Sequence, residues 1–374
     1  MKLIPFALFF PLIFSLSVLS QQVSSPSAKE FFDRGVTLLK ESRYADALEA
    51  FRESARLSPS QAATHANIGS AQMSLGRPQE SIAALREAIR LAPSDGSFRS
   101  ALCSVLSQIN QHAEAIKECE EGVRLSPDSD YTCAALLRAL KAAGRPAEEI
   151  LRLADSSFLR FRDSEILLAL AAELNFEARN YPYVSELLGK LISLRPGNAI
   201  YHGLLAETLL RLERDEEAIS AARTALKLDP ANPYANYAMG LIFFELGLHE
   251  EASESFGRVP PNIPRLQQAE YYSAMSEKGR GRRSEAIRIL EGLVRRFPAE
   301  YSYQFQLGTL LVSETRYDDA VGPLTKARQI QPKSLEAAAG LGLALFESGR
   351  FEQAIPVLEE GLKISPGNEI VTMY

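Results

Sequence analysis

Histidines are the first side chains to consider for chemistry, because a neutral imidazole can bind a metal ion or act as a general base. The sequence has four of them, at His65, His112, His202 and His249. His65 and His202 lie at one fixed distance before a proline, and the other two lie at a second, shorter fixed distance. Apolar residues stand at the same two distances before other prolines, among them Phe31, Leu168, Tyr44 and Phe351. We therefore interpret the histidines as packing residues and predict no metal site.

Motifs for catalysis or cofactor binding are incomplete in this chain. The stretch HEEAS at His249 begins as a zinc-protease helix does, but Ser253 stands where the second histidine ligand is required. GRGRRS at Gly279 and GLGLAL at Gly340 resemble part of a dinucleotide-binding loop, but both lack its third glycine. No GxSxG motif and no Walker loop is found. We predict that the protein is not an enzyme and binds no cofactor.

A basic cluster stands out in an otherwise acidic chain of net charge −6. It consists of Lys278, Arg280, Arg282 and Arg283. One interpretation is a solvated helix end, and the other is a docking patch for an acidic protein segment or a lipid head group. The chain has no long basic run. Because affinity for nucleic acid depends on neutralising phosphates, we expect no nucleic-acid partner.

The elements that position these residues follow from a regular repeat in the sequence, marked by prolines at a constant interval. The marker prolines are Pro59, Pro93, Pro127, Pro196, Pro230, Pro264, Pro298, Pro332 and Pro366. The one longer interval, from Pro127 to Pro196, equals two units and one inserted residue. Most markers are preceded by small residues at two fixed distances and by a bulky residue at a third, as Gly35, Ala47 and Phe51 precede Pro59. This pattern predicts pairs of closely crossing helices stacked into a solenoid.

Three stretches carry a specific family resemblance. They are GVTLLKESRYADALEAFRESARLSP, GTLLVSETRYDDAVGPLTKARQIQP and GLALFESGRFEQAIPVLEEGLKISP, which begin at Gly35, Gly308 and Gly342. With their small-residue, Tyr, Ala and Pro pattern, they resemble the tetratricopeptide repeat family, and the likeness extends over residues 28–366. The resemblance implies an all-α, right-handed superhelix of about ten antiparallel helix pairs. It also implies a concave groove, lined by the first helix of each pair, that binds peptides.

Aromatic residues recur on the face that would line this groove. Tyr237, Tyr271 and Phe305 each lie at the same distance before a marker proline. Two helical turns after Tyr237 comes Phe244. The full set of groove candidates is Tyr234, Tyr237, Leu241, Phe244, Tyr271, Met275, Phe305 and Phe346. We interpret them as anchors for a peptide partner; the alternative is that the rings only pack between neighbouring first helices.

The three cysteines should be neighbours in such a stack. Cys103 and Cys119 fall on the two helices of unit 3, and Cys133 falls on the first helix of unit 4. One interpretation is three small buried apolar residues. The other is a disulfide that joins Cys119 to either Cys103 or Cys133.

The two ends of the chain differ from the repeats. Residues 1–20 have an early lysine and an almost uncharged apolar run, which is typical of a cleaved signal peptide; an N-terminal membrane anchor is the alternative. We divide the chain into this signal peptide, a linker (21–27), units 1–4 with a degenerate fourth (28–164), units 5–10 (165–366), and a truncated unit or frayed tail (367–374). We expect an irregular joint between Leu153 and Glu165, where Phe161 replaces a marker proline and the inserted residue falls.

Together these features predict an exported, non-catalytic scaffold that binds protein or peptide segments. No Asn-x-Ser/Thr sequon occurs, which favours the bacterial periplasm or secretion over a glycosylating pathway. Membrane contact is expected only through an uncleaved N-terminal segment, and a homo-oligomer is compatible with the sequence. The alternative function is substrate recruitment by the repeats of a larger enzyme, or of a chaperone complex, whose catalytic or J domain lies elsewhere.

Overall fold

The computed structural model describes residues 26–364. This part of the chain consists of twenty α-helices and one 3₁₀ turn, Pro264–Leu266, and contains no strand. The helices are α1 Pro26–Lys40, α2 Tyr44–Leu57, α3 Ala62–Ser74, α4 Pro78–Leu91, α5 Gly96–Gln108, α6 His112–Leu125, α7 Asp130–Ala142, α8 Ala147–Arg160, α9 Glu165–Glu177, α10 Tyr181–Leu194, α11 Ala199–Arg211, α12 Asp215–Leu228, α13 Pro233–Glu245, α14 His249–Gly257, α15 Gln268–Gly279, α16 Arg283–Arg296, α17 Tyr301–Ser313, α18 Tyr317–Ile330, α19 Leu335–Glu347 and α20 Phe351–Ile364. The predicted all-α stack of helix pairs is confirmed. The predicted signal peptide and the tail after residue 366 lie outside the described residues.

Short turns make each pair of helices antiparallel. In unit 2 the turn between α3 and α4 places Gly76 at a φ of 74°, a conformation that glycine adopts without steric cost. The amide of the following Arg77 then donates to the carbonyl of Gln72 at 2.9 Å, which closes the end of α3. At the other end of the pair, α4 ends at Leu91, shortly before the marker Pro93. The proline has no amide donor, so the second helix stops and the next pair begins.

The small residues of the repeat are where the two helices of a pair cross. A Cβ atom placed on Gly240 of α13 would lie 2.7 Å from the Phe256 ring of α14. In the same way, a Cβ on Gly308 would lie 2.4 Å from Cγ of Leu324. The helix axes therefore approach too closely for any side chain at these positions, as the sequence pattern predicts.

Contacts divide the described chain into two compact units, residues 26–196 and 197–364. The unit of residues 26–196 contains α1 to α10, and it holds the inserted residue of the repeat. The predicted place of the insertion, beside Phe161, is wrong. Gly144 has a positive φ in the turn between α7 and α8, and it lies one regular repeat after Asn110, which has a positive φ in the turn between α5 and α6. The start of α8 at Ala147, however, lies one residue more than a regular repeat after the start of α6 at His112.

The insertion thus lies in the turn between α7 and α8. The amides of Glu149 and Ile150 both take the carbonyl of Pro146 as their acceptor, so this residue precedes the first turn of α8. Burial follows the shifted register, because Ala154 is completely buried while Leu153 is 43% exposed. The inserted residue therefore shifts the start of α8 by one position relative to the other second helices.

The unit of residues 197–364 contains α11 to α20 and has one irregular pair. Helix α14 has nine residues, whereas α12 has fourteen. The chain between α14 and α15, Arg258–Gln267, runs as a loop that includes the 3₁₀ turn; we call it the strap. Its apolar residues Val259 and Leu266 are buried against the α13–α14 pair. Sequence reasoning did not identify this irregularity.

Candidate binding surface on the first helices of residues 197–364

In residues 197–364, the first helix of each pair places aromatic and apolar side chains at the surface. Tyr234, Leu241 and Phe244 of α13 are partly buried, as are Tyr271 and Met275 of α15. Each covers the core beneath it and leaves part of its side chain accessible to solvent. Further along, Phe305 of α17 is also partly buried, and Phe346 of α19 is 37% exposed. Seven of the eight predicted groove residues therefore have some accessible surface.

Tyr237 is the exception, and its predicted role as an exposed anchor is wrong. Its side chain is 1% exposed and meets the ring of Phe256 edge to face, with 6.1 Å between ring centroids. Burial raises the pKa of Tyr237 to about 12, so the phenol stays protonated. This ring packs within the stack and has no surface for a partner in this conformation.

The aromatic rings on α15 and α17 form a connected group. Tyr271 stacks on Tyr303 with 5.5 Å between ring centroids and meets Tyr272 edge to face at 5.6 Å. Burial raises the pKa of both Tyr271 and Tyr303, so their hydroxyl groups are neutral at physiological pH. Large, rigid rings with a polar tip lose little side-chain entropy on binding, which is why they serve as anchors at interfaces.

A pocket of about 800 Å³ lies beside this group. Tyr301 and Phe305 form its aromatic wall, stacked nearly parallel with 5.5 Å between ring centroids. The hydroxyl of Tyr301 is 2.8 Å from Oγ of Ser334, the N-cap residue of α19. Lys333 and Glu336 also line the pocket. The pocket thus offers one apolar surface and one charge of each sign.

An ion pair that the sequence did not predict links the strap to α11. Nε of Arg265 lies 3.0 Å from a carboxylate oxygen of Glu207, and the guanidinium carbon lies 5.8 Å from the centre of the Tyr234 ring. Glu207 is 1% exposed, while Arg265 is 26% exposed. Burial raises the pKa of Glu207, and the nearby charges of Arg265 and Arg211 oppose that rise. The carboxylate is thus desolvated and depends on a cation beside it.

The basic cluster is largely neutralised by ion pairs. Arg280 contacts Glu250 at 2.7 Å and Glu277 at 2.8 Å, and its side chain is only 14% exposed. Arg282 lies 3.8 Å from Glu277 as well. Arg283 lies 3.3 Å from Glu314, and Lys278 is exposed. Three of the four cations therefore have acidic neighbours within the fold, which leaves little unpaired positive charge for an anionic partner.

The cysteines of unit 3 form a disulfide. Cys103 of α5 is bonded to Cys119 of α6, with 5.4 Å between their Cα atoms. Cys133 of α7 is a buried free thiol. Of the two pairings that the sequence left open, the structure contains the one within a single helix pair.

All four histidines are partly buried. Nε2 of His65 is 2.9 Å from the carbonyl oxygen of Pro59, and the ring of His249 meets Phe244 edge to face. Within residues 26–364, no cluster of His, Cys, Asp and Glu has the arrangement of a metal site. Nor does any helix in this range combine the length and apolar character needed to cross a bilayer.

The first helices of residues 26–196 present a different surface. Nζ of Lys141 lies 2.5 Å from Glu173 and 2.8 Å from Glu177, so charged side chains of α7 and α9 pair with one another. Further up the stack, Arg99 of α5 pairs with Glu118 of α6 at 2.7 Å. These charged side chains pair with one another, in contrast to the aromatic surface of residues 197–364.

Three family models match the chain, and all describe tetratricopeptide repeats. One matches residues 32–96, 67–130 and 273–334, a second matches 311–372, and a third matches 206–247. Together they cover more than half of the chain. The fold of stacked helix pairs and these matches define one class of protein: the chain belongs to the tetratricopeptide repeat family. Protein binding by a repeat scaffold is the function that these repeats support.

Individual relatives are distant. A TPR repeat-containing protein of Methanocaldococcus jannaschii is 23% identical over 226 residues, which is 58% of this chain and 38% of that protein. The human protein O-mannosyl-transferase TMTC3 is 28% identical over 185 residues, which is 48% of this chain and 20% of that protein. The chain thus spans well under half the length of these two curated relatives.

Solved structures of similar fold include a tetratricopeptide repeat protein from Parabacteroides merdae. It is 14% identical, with a TM-score of 0.49 over 67% of this chain and 99% of that one. YrrB, described as a TPR protein with an unusual peptide-binding site, is 20% identical, with a TM-score of 0.46 over 50% of this chain and 97% of that one.

Proposed function

We propose that this protein is an exported, non-catalytic scaffold that binds an extended protein or peptide segment along the first helices of residues 197–364. The observation that carries the proposal is the series of partly exposed aromatic rings on four successive first helices: Tyr234, Tyr271, Phe305 and Phe346. A repeat surface of this kind offers many shallow contacts in place of one deep cleft. Binding is therefore expected to be multipoint, with the aromatic rings as its main anchors.

Site-specific photo-crosslinking in the native host tests this proposal. A benzophenone side chain replaces Tyr271 in one variant and Phe305 in another. The control places it at Glu352, which is exposed on α20, the second helix of its pair. We expect a discrete partner band at Tyr271 and Phe305 and none at Glu352. Equal capture at all three positions, or capture of the protein's own chain alone, contradicts the proposal.

Export is supported by the apolar N-terminal stretch and by the disulfide, because disulfides persist in oxidising compartments. We expect the mature protein in its host to begin at Gln21, after the small residues Val18 and Ser20. Mass spectrometry of the N-terminal peptide checks this. A protein that retains Met1 and stays in the cytosol argues against export.

The alternative function is substrate recruitment by a repeat region that works with a catalytic or chaperone domain. The similarity to a human protein O-mannosyl-transferase, over 20% of that protein, is its support. The photo-crosslinking experiment separates the two functions. Under the alternative function, the captured partner is an enzyme or a chaperone subunit bound together with its substrate.

A further inference from the structure

The surroundings of Arg265 are those of a binding site for a guanidinium group. The buried carboxylate of Glu207 lies on one side of the guanidinium, and the face of the Tyr234 ring lies within 5.8 Å of it. A carboxylate accepts the N–H donors and an aromatic face attracts the positive charge. Both groups belong to first helices, Glu207 to α11 and Tyr234 to α13, whereas the cation comes from elsewhere in the unit.

Arg265 lies in the strap, which leaves the path of a normal second helix. In other pairs the second helix continues almost to the marker proline, as α12 does before Pro230. Here α14 ends at Gly257, and buried Leu266 fixes the end of the strap against α13 and α14. Arg265 thereby crosses one whole repeat to meet a residue 58 positions earlier in the chain.

We propose that Glu207 and Tyr234 form a receptor for an arginine side chain of the bound partner, and that Arg265 occupies this receptor in cis while no partner is present. The inference rests on the proposed function, since the receptor lies on the same first helices as the aromatic anchors. The exchange of one arginine for another leaves the charge in the site unchanged. Arg211 is the other cation near Glu207.

The exposure of the ion pair shows the route that a ligand takes. Glu207 is 1% exposed, so no ligand reaches it while Arg265 is bound. Arg265 itself is 26% exposed, so the path from solvent to the carboxylate follows its side chain. A partner arginine must displace Arg265 of the strap. The apparent affinity for the partner arginine is therefore the intrinsic affinity multiplied by the fraction of time that the receptor is free of Arg265. Removal of the Arg265 side chain therefore raises the affinity for a free guanidinium ligand.

The test uses the full chain and two small probes, N-acetyl-arginine amide and the uncharged N-acetyl-citrulline amide. The variants are Arg265→Ala, Arg265→Ala combined with Glu207→Gln, and Arg258→Ala. The last is a matched control, because Arg258 is also in the strap but is exposed and 3.9 Å from Glu254. We expect the arginine probe to raise the melting temperature of Arg265→Ala in a saturable way. Citrulline should have no effect, the double variant should not respond, and Arg258→Ala should respond no more than the wild type does.

A second measurement applies if Arg265→Ala does not fold. Amide hydrogen exchange of the strap is followed in the wild-type protein while each probe is added. Displacement of Arg265 by the arginine probe should speed exchange in residues 258–267, and the citrulline probe should leave it unchanged. No response to arginine in either measurement overturns the receptor. If a partner is nevertheless captured at Tyr271, the proposed function stands and only this inference fails.

Discussion

At the scale of single residues, burial of Glu207 gives the protein a pH dependence that can be isolated. Its folded-state pKa is raised above the ordinary value of 4.5, mainly by desolvation. The native state therefore binds a proton more readily than the unfolded chain does, so this group's contribution is fully present at low pH and decreases as pH rises through the folded pKa. Arg265, Arg211 and Tyr237 are the other titratable groups that face it.

We expect the wild type to become more stable relative to Glu207→Gln, in unfolding free energy, as pH falls from 7 towards 5. Taking the difference removes the contribution of surface carboxylates such as Glu87, whose pKa is lowered and which act in the opposite direction. Urea unfolding of both proteins at several pH values measures it. A difference that is constant with pH would show that Glu207 is not the titrating group.

Two glycines should respond in opposite ways to the same substitution. Gly240→Ala puts a methyl group 2.7 Å from the Phe256 ring, so we expect a loss of about 1–3 kcal/mol in unfolding free energy. Gly292 is inside α16 and has no neighbouring atom within 4 Å of a new Cβ. Gly292→Ala should stabilise the protein by about 0.5–1 kcal/mol, because alanine favours the helix. A Gly240→Ala protein as stable as the wild type would refute the close crossing at Gly240.

At the scale of elements, the disulfide occupies the contact that other pairs make with a small and a bulky residue. Cys103 and Cys119 stand in unit 3 where Gly69 and Leu85 meet in unit 2. The bond closes a loop with a sequence separation of 16 residues. By restricting the unfolded chain, it adds about 3 kcal/mol to the free energy of unfolding. We therefore expect dithiothreitol to lower the melting temperature of the wild type.

A variant with the pair of unit 2, Cys103→Gly combined with Cys119→Leu, should fold and should not respond to dithiothreitol. Cys133→Ala is the matched control, because this thiol lies outside the disulfide. It should respond as the wild type does. Thermal unfolding followed by circular dichroism gives all three values, and a reductant effect on the Gly–Leu variant would place the sensitivity elsewhere.

The helix pairs could be predicted from the sequence because each depends on local signals that recur once in every repeat. A proline ends the second helix, and a small residue such as Gly308 allows its partner to approach. The same comparison of units could have selected Cys103 as the partner of Cys119, since the first small position and the bulky position of a unit meet. The contact between Glu207 and Arg265 could not be predicted in this way. It depends on a strap that leaves the repeat geometry, for which the two additional prolines Pro260 and Pro261 were the only signal.

Exposure was the other property that the sequence could not supply. Tyr237 and Tyr271 occupy the same position in successive repeats, yet Tyr237 is buried and Tyr271 is partly exposed. The difference arises because Tyr237 belongs to the cluster that includes buried Val259 and Leu266 of the strap. Side chains at equivalent positions of successive repeats point in the same direction, but their neighbours can differ.

At the scale of the whole molecule, each compact unit has its own apolar cores. The clusters around Leu290, Ala222 and Phe256 contain only residues after 197, and those around Phe51 and Leu102 contain only earlier ones. Since repeat proteins are stabilised by contacts between adjacent units, a break between two such groups should leave both able to fold. Residues 26–196 and 197–374, each produced alone, should show helical circular dichroism and cooperative melting.

The two fragments should differ in what they bind. Residues 197–374 carry the exposed aromatic rings, whereas the first helices of residues 26–196 pair their charges internally, as Lys141 does with Glu173 and Glu177. We therefore expect the partner captured by the full chain to bind the fragment 197–374 and not the fragment 26–196. The affinity should change little between low and moderate salt, because burial of aromatic surface is not screened by ions. Calorimetric titration of each fragment measures this. Binding by 26–196 that weakens steeply with salt would move the recognition surface to the charged first helices.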